Sequence, residues 1–156
     1  MTRTLFLSLL STLFLLGGTA PLRSISGTPW KPEGGKTYLA MYYNTNACHN
    51  CEEELMQYII DVCGQDSTYR PLLIVMRTDM GYVRQQIKYL KQKYGNNIPI
   101  VCDDPAEKES LVNKKDIKEY PCLFILKDEE KPQYYSYHKL FSSRKWPKIN
   151  IHPNNP

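Results

Sequence analysis

Apolar residues along this 156-residue chain recur in two rhythms. Unbroken apolar runs occupy residues 38–43, 71–76, 98–102 and 122–126, as strands buried on both faces require. Between them, Leu55, Ile59, Val62 and Cys63, and then Val83, Ile87, Leu90 and Tyr94, repeat at helical spacing. Gly64 is placed to stop the first helix; Asp79 is placed to cap the second and Gly95 to end it. The polar stretch 103–118 holds only a short helix, around 107–112. A charged turn at 128–131 then joins the run at 122–126 to a last strand at 133–138, predicting a hairpin. Strand, helix, strand, helix, strand and hairpin is an α/β order, a central mixed sheet flanked by helices.

The two ends depart from these rhythms. Arg3 precedes an uncharged apolar run from Leu5 to Leu16, and Gly17, Gly18, Thr19 and Ala20 follow, so residues 1–20 read as a secretory signal peptide. The run is shorter than the roughly 20 residues of a membrane span. Pro21 sits awkwardly after a cleavage point, which leaves an uncleaved N-terminal membrane anchor as the alternative. No cysteine lies in or just after the segment to accept a lipid. Residues 21–36 are rich in Pro, Gly and Ser without an apolar period and read as a flexible arm. One domain at 37–140 follows, and then a tail at 141–156 in which Pro147 and Pro153 limit any helix. The domain is expected in the periplasm or otherwise exported.

Composition narrows the function. With 42% apolar and 23% charged residues the chain is ordinarily globular. Its net charge is +4, of which Arg3 supplies the only part before Pro21, and the lysines are interspersed with acids; this argues against nucleic acid. Five cysteines leave at least one unpaired. A chain of this length builds a core without disulfide staples, so the odd count favours chemistry for one pair and burial for the others. Cys63 and Cys102 read as small buried hydrophobes, and so does Cys122, although its place directly after Pro121 would also suit a third redox thiol.

The chemistry concentrates at Cys48-His49-Asn50-Cys51, which follows the first apolar run and opens the first helix. Two thiols one helical turn apart can close a small disulfide, and the free N–H groups of a helix N-terminus stabilise the thiolate of the first. Cys48 is the expected attacker and Cys51, one turn in, the resolving thiol. His49 adds a positive neighbour that would tune the thiol, while Glu52, Glu53 and Glu54 oppose it. Glu54 lies one turn beyond Cys51, where a carboxylate can move a proton to or from the second thiol; acids in a first turn also simply suit the helix dipole.

These residues resemble the thioredoxin-like superfamily, and within it the exported redoxins of the TlpA/ResA type. The resemblance covers roughly residues 38–138 and rests on the CxxC after the first strand, the segment Ile98-Pro99-Ile100-Val101-Cys102-Asp103-Asp104, and Tyr120-Pro121 before an apolar strand. It implies a thioredoxin-like fold with a shortened C-terminal helix and a thiol-disulfide oxidoreductase that reduces envelope protein disulfides. It further implies a cis Pro121 that, with Tyr120, meets substrate beside the CxxC, and a glutamate such as Glu54 three residues after the second cysteine. Partners would be thiol- or disulfide-containing envelope proteins and a membrane electron donor; the exchange calls for no cofactor. Asn46 and Ala47 stand where the family usually has an aromatic residue, and Asn50 where it commonly has proline.

Rival readings remain in other classes. Cys48, His49 and Cys51 are soft ligands that would suit a copper(I) chaperone, with His138 as a distal ligand, although such chaperones resemble a CxxxC spacing and zinc prefers two separated pairs. A non-catalytic thioredoxin-like interaction module is the other. Attachment of c-type haem is excluded because Glu52, not His, follows Cys51. A peroxiredoxin would want proline in the loop that here reads Asn44-Thr45-Asn46-Ala47.

Overall fold

The computed structural model describes residues 22–142. The signal-peptide segment and all but the first two residues of the tail lie outside the described residues. Seven strands form one sheet: β1 (Leu22–Ser24), β2 (Pro29–Trp30), β3 (Thr37–Tyr43), β4 (Tyr69–Met76), β5 (Ile100–Asp103), β6 (Cys122–Lys127) and β7 (Gln133–Ser136), in the order β2-β1-β5-β4-β3-β6-β7. β3, β4 and β5 run parallel, while β6 pairs antiparallel with β3 and β7 with β6. Helix α1 (His49–Gln65) links β3 to β4, and α2 (Met80–Tyr94) links β4 to β5. Both crossovers step the same way across the sheet, so a right-handed connection puts both helices on one face.

That face buries Leu39, Met41, Leu73, Val75 and Leu123 of the sheet against Leu55, Met56 and Ile59 of α1 and Val83, Ile87 and Leu90 of α2. All of those helix residues but Met56 are among the periodic ones, and each large apolar side chain so buried contributes about 1.5–3 kcal/mol relative to exposure. The caps of α2 follow the sequence, whereas α1 runs through Gly64, expected to stop it, to Gln65 and is capped by Asp66, whose amide donates to the Val62 carbonyl. Asp79 accepts from the Tyr82 amide at 3.1 Å to start α2, and Gly95, at φ 87°, ends it. The opposite face buries Tyr38, Ala40, Tyr42, Leu72, Ile74 and Phe124 under a thinner cover that includes Leu22 and α3 (Leu111–Lys115).

Three elements differ from the sequence reading. Residues 21–36 were expected to form a loose arm, yet Leu22–Ser24 and Pro29–Trp30 pair as a hairpin, and β1 continues the sheet antiparallel to β5 with Leu22 opposite Asp103. Two apolar anchors hold it: Leu22 is buried, and the Trp30 ring meets Tyr38 edge-on at 5.1 Å. Gly27, at φ 91°, makes the turn. The short helix begins at Leu111 rather than near 107, because Ser110 is its cap and accepts from the Asn113 amide. The last strand stops at Ser136, which caps α4 (Tyr137–Phe141) by accepting from the Lys139 amide at 3.3 Å. α4 is the shortened closing helix, seated through Leu140 on the α1 face.

Candidate functional site

Strand β3 ends at Tyr43 and the chain turns through four residues to Cys48. The Asn44 side chain accepts from the Asn46 amide at 2.9 Å and its carbonyl from the Ala47 amide at 2.8 Å, which tightens the loop. Cys48 is the N-cap of α1, and its Sγ accepts from the Cys51 amide at 3.3 Å. Cys48 and Cys51 form a disulfide with Cα atoms 5.2 Å apart. Cys48 is exposed and Cys51 half-buried. The expected attacker is thus the more exposed residue of the pair, and the expected resolving cysteine the half-buried one.

The cis peptide bond falls at Tyr120–Pro121, directly before β6. The register sets Cys122 opposite Tyr42, which carries Pro121 to the end of β3 from which the CxxC loop departs. Pro121 is buried, while Tyr120 is half-buried with its ring 5.5 Å from that of Tyr42. Beneath lies a polar core contact. Tyr42 donates to Asp103 Oδ2 at 2.9 Å, and the Leu111 and Val112 amides donate to the same carboxylate at 2.9 and 3.1 Å. Burial pushes the Asp103 carboxyl above the usual carboxylate range, although the two amides and the Tyr42 hydroxyl counter it.

The acids of the first turn divide in a way the sequence reading missed. Glu54 is exposed and accepts a hydrogen bond from the Tyr137 hydroxyl of α4. Burial and that bond push the Tyr137 phenol up to about 12. Glu52 is the buried acid at 3% exposure, accepting from the Tyr94 hydroxyl at 2.7 Å and the Lys93 ammonium at 3.4 Å. Glu52 shares the inward face with Leu55, Met56 and Ile59, and that spacing was the available signal. Burial would lower the pKa of Lys93, but Tyr89, Glu53 and Glu52 outweigh it and hold the ammonium above its usual value. The start of α1 is therefore clamped to the end of α2. His49, expected as a positive neighbour of the thiols, is exposed with Nε2 3.4 Å from Glu53 and Nδ1 4.0 Å from Glu52.

Cys63, Cys102 and Cys122 are free. Burial pushes the Cys63 thiol up to about 11 and raises Cys102 and, further, Cys122. Thiols held protonated are poor nucleophiles, in keeping with a packing role. Alkylation of the unfolded, unreduced protein followed by intact-mass analysis is expected to add three groups, one for each free cysteine. Fewer would mean that a second disulfide forms. Among the described residues no group of three or more His, Cys, Asp or Glu side chains is arranged to hold a metal ion. Among the same residues no helix is long and apolar enough to cross a membrane.

No protein-family model matches this sequence, and no curated protein does. Solved structures do. A thioredoxin-like protein from Porphyromonas gingivalis superposes with a TM-score of 0.53 at 19% identity, covering 80% of this chain and 82% of its own. The N-terminal domain of PilB from Neisseria gonorrhoeae gives 0.52 at 15% identity, covering 76% and 80%. Such identities speak to architecture, and the architecture agrees with the resemblance carried by the CxxC, the cis-proline and the strand order. The chain has the thioredoxin-like fold, with a CxxC cysteine pair closed as a disulfide at the start of its first helix.

Proposed function

We propose that this protein is an exported thiol-disulfide oxidoreductase that works through Cys48 and Cys51, as a reductase of envelope protein disulfides. The observation that carries the reading is the asymmetric disulfide, with an exposed cysteine at a helix N-cap and a half-buried one a turn in. In the reduced protein the Cys48 thiolate attacks one sulfur of a substrate disulfide and expels the other as a thiolate. The Cys51 thiolate then attacks Cys48 Sγ, which releases the second substrate thiolate and closes the Cys48–Cys51 bond. Two electrons leave the dithiol and its two protons pass to the released thiols. A membrane electron donor that reopens the disulfide completes the cycle. Tyr120 and Pro121, at the rim beside the CxxC loop, present backbone to the substrate segment. Glu54 is positioned by helix spacing to relay a proton for Cys51, in exchange for its bond to Tyr137. Export rests on the apolar segment that follows Arg3.

The reduction potential of the pair tests this, measured by equilibration against thiol buffers with Cys48→Ala as control. A value near about −270 mV is expected of a reductant, whereas one near −120 mV would make the protein a disulfide donor. Absence of a reversible couple would remove the oxidoreductase reading. Repeating the titration across pH with Glu54→Gln is expected to shift its pH dependence; an unchanged profile would take Glu54 out of the mechanism.

A further inference from the structure

Outside its buried stripe, helix α2 has two unlike flanks. The flank toward α1 carries Tyr82, bonded to Thr45 of the CxxC loop, and Lys93, which pairs with Glu52 and Glu53. Arg84, Lys88 and Lys91 recur at i, i+4 and i+7 on the other flank, toward the β1–β2 turn. All three are exposed, and among the described residues none of them forms an ion pair. With Ile25 of that turn and Ile87 they line a groove of about 530 Å3, whose two remaining lining residues are amides.

The groove holds no acid because both of its walls come from acid-free stretches of chain. No Asp or Glu precedes Glu33, and none occurs between Asp79 and Asp103. A solvated helix face usually mixes its signs, as Glu52, Glu53 and Lys93 do on the other flank. Like charges three and four residues apart disfavour a helix, and a counter-charge relieves the repulsion. Beside these cations Ile25 stands 40% exposed, between Ser24 and Ser26 in the turn. An apolar tip next to a basic stripe matches the boundary of an anionic bilayer, which takes up apolar groups and attracts cations without fixed pairing. The path of the chain favours a bilayer over an acidic protein. The apolar run 5–16 ends six residue steps before Leu22, about 20 Å at full extension, and β1 leads directly into the Ile25 turn. On the export reading that run meets a membrane, and it brings this flank of the domain toward the bilayer.

We propose that the groove of Arg84, Lys88 and Lys91 is a docking surface for an anionic phospholipid bilayer. Ile25 enters the headgroup boundary and the three cations lie against lipid phosphates. Each Lys or Arg near an anionic leaflet strengthens binding about fivefold, so the three together add roughly a hundredfold. Because Tyr82 and Lys93 turn the opposite flank of α2 toward the CxxC loop and α1, a domain docked in this way leaves Cys48 uncovered. The inference uses the export reading proposed above and does not depend on the exchange chemistry.

Co-sedimentation of the full chain with phosphatidylcholine vesicles, with and without phosphatidylglycerol, tests it through the ratio of the two partition coefficients. The run 5–16 contributes to both coefficients and cancels. In the triple variant Arg84→Gln, Lys88→Gln, Lys91→Gln the ratio is expected to fall roughly a hundredfold. A control triple variant, Lys114→Gln, Lys118→Gln, Lys131→Gln, removes the same charge from lysines outside the groove and should lower the ratio less than about threefold, since salt screens distant charges. Ile25→Ser should lower it about threefold. Circular dichroism checks the fold of each variant. Equal losses in the two triple variants would overturn the groove, leaving only general charge attraction. Displacement from vesicles by inorganic phosphate at constant ionic strength would overturn it as well, marking a site for a free anion. Binding of poly-glutamate that the groove variant abolishes, with an unchanged vesicle ratio, would assign the groove to an acidic protein instead. No redox readout enters, so failure here leaves the exchange reading standing.

Discussion

Cys48→Ser is expected to lower the rate of insulin reduction by roughly three orders of magnitude, to the background of the uncatalysed mixture. A serine hydroxyl is not ionised at neutral pH and cannot attack a disulfide sulfur. Serine also caps helices well, so α1 should still start at His49 and the loss should not reflect unfolding. Cys51→Ser should behave differently. The exposed Cys48 still attacks, but no thiol remains to resolve the adduct, so turnover stops after one event and a mixed disulfide accumulates as an added mass. Cys122 is not expected to substitute for Cys51, since burial at 0% exposure holds its thiol protonated. Trapping by the Cys48 variant instead of the Cys51 variant would reverse the assignment of attacker and resolver.

The sequence showed most of the sheet because the strands buried on both faces are unbroken apolar runs, and β3 through β6 are of that kind. It showed α1 and α2 because their apolar faces repeat over several turns, and α2 also because Asp79 and Gly95 cap its ends; the end of α1 lies past Gly64, at Gln65. The β1–β2 hairpin was hidden because two residues, Leu22 and Trp30, do its packing within a segment whose Pro, Gly and Ser content suggests a tether. The CxxC and cis Pro121 were legible as motifs. Tertiary partners decided the remainder: Glu52 and Glu54 look alike in sequence, but the approach of Tyr94 and Lys93 on α2 buries one, while Tyr137 on α4 holds the other at the surface. Tyr82 followed a cap and looked like an ordinary helix residue until its hydroxyl bond to Thr45 set it beside the CxxC loop.

Asp103→Ala is expected to be the most damaging substitution for stability. It would strip the Tyr42 hydroxyl and the Leu111 and Val112 amides of their acceptor in a site where Asp103 is 0% exposed. An unpaired buried polar group costs about 1–3 kcal/mol, so a loss of about 3–5 kcal/mol is expected. That is a large part of the roughly 5–15 kcal/mol that holds a domain together. Asp103→Asn should cost less, about 1–2 kcal/mol, because the amide oxygen still accepts and the Tyr42 hydroxyl can turn to accept from the amide group, although one backbone N–H then faces a donor. The urea midpoint at neutral pH measures both. Because burial raises the Asp103 pKa in the folded state, its favourable contribution is fullest below the ordinary carboxylate value and declines as pH rises through the raised one. The midpoint gap between the unaltered protein and Asp103→Ala should therefore narrow as pH rises from the ordinary carboxylate value through the raised one. A gap that widens over that range would mean that the three hydrogen bonds to the carboxylate outweigh its desolvation, with Asp103 acting as an anion that draws α3 onto the sheet beneath the cis-proline.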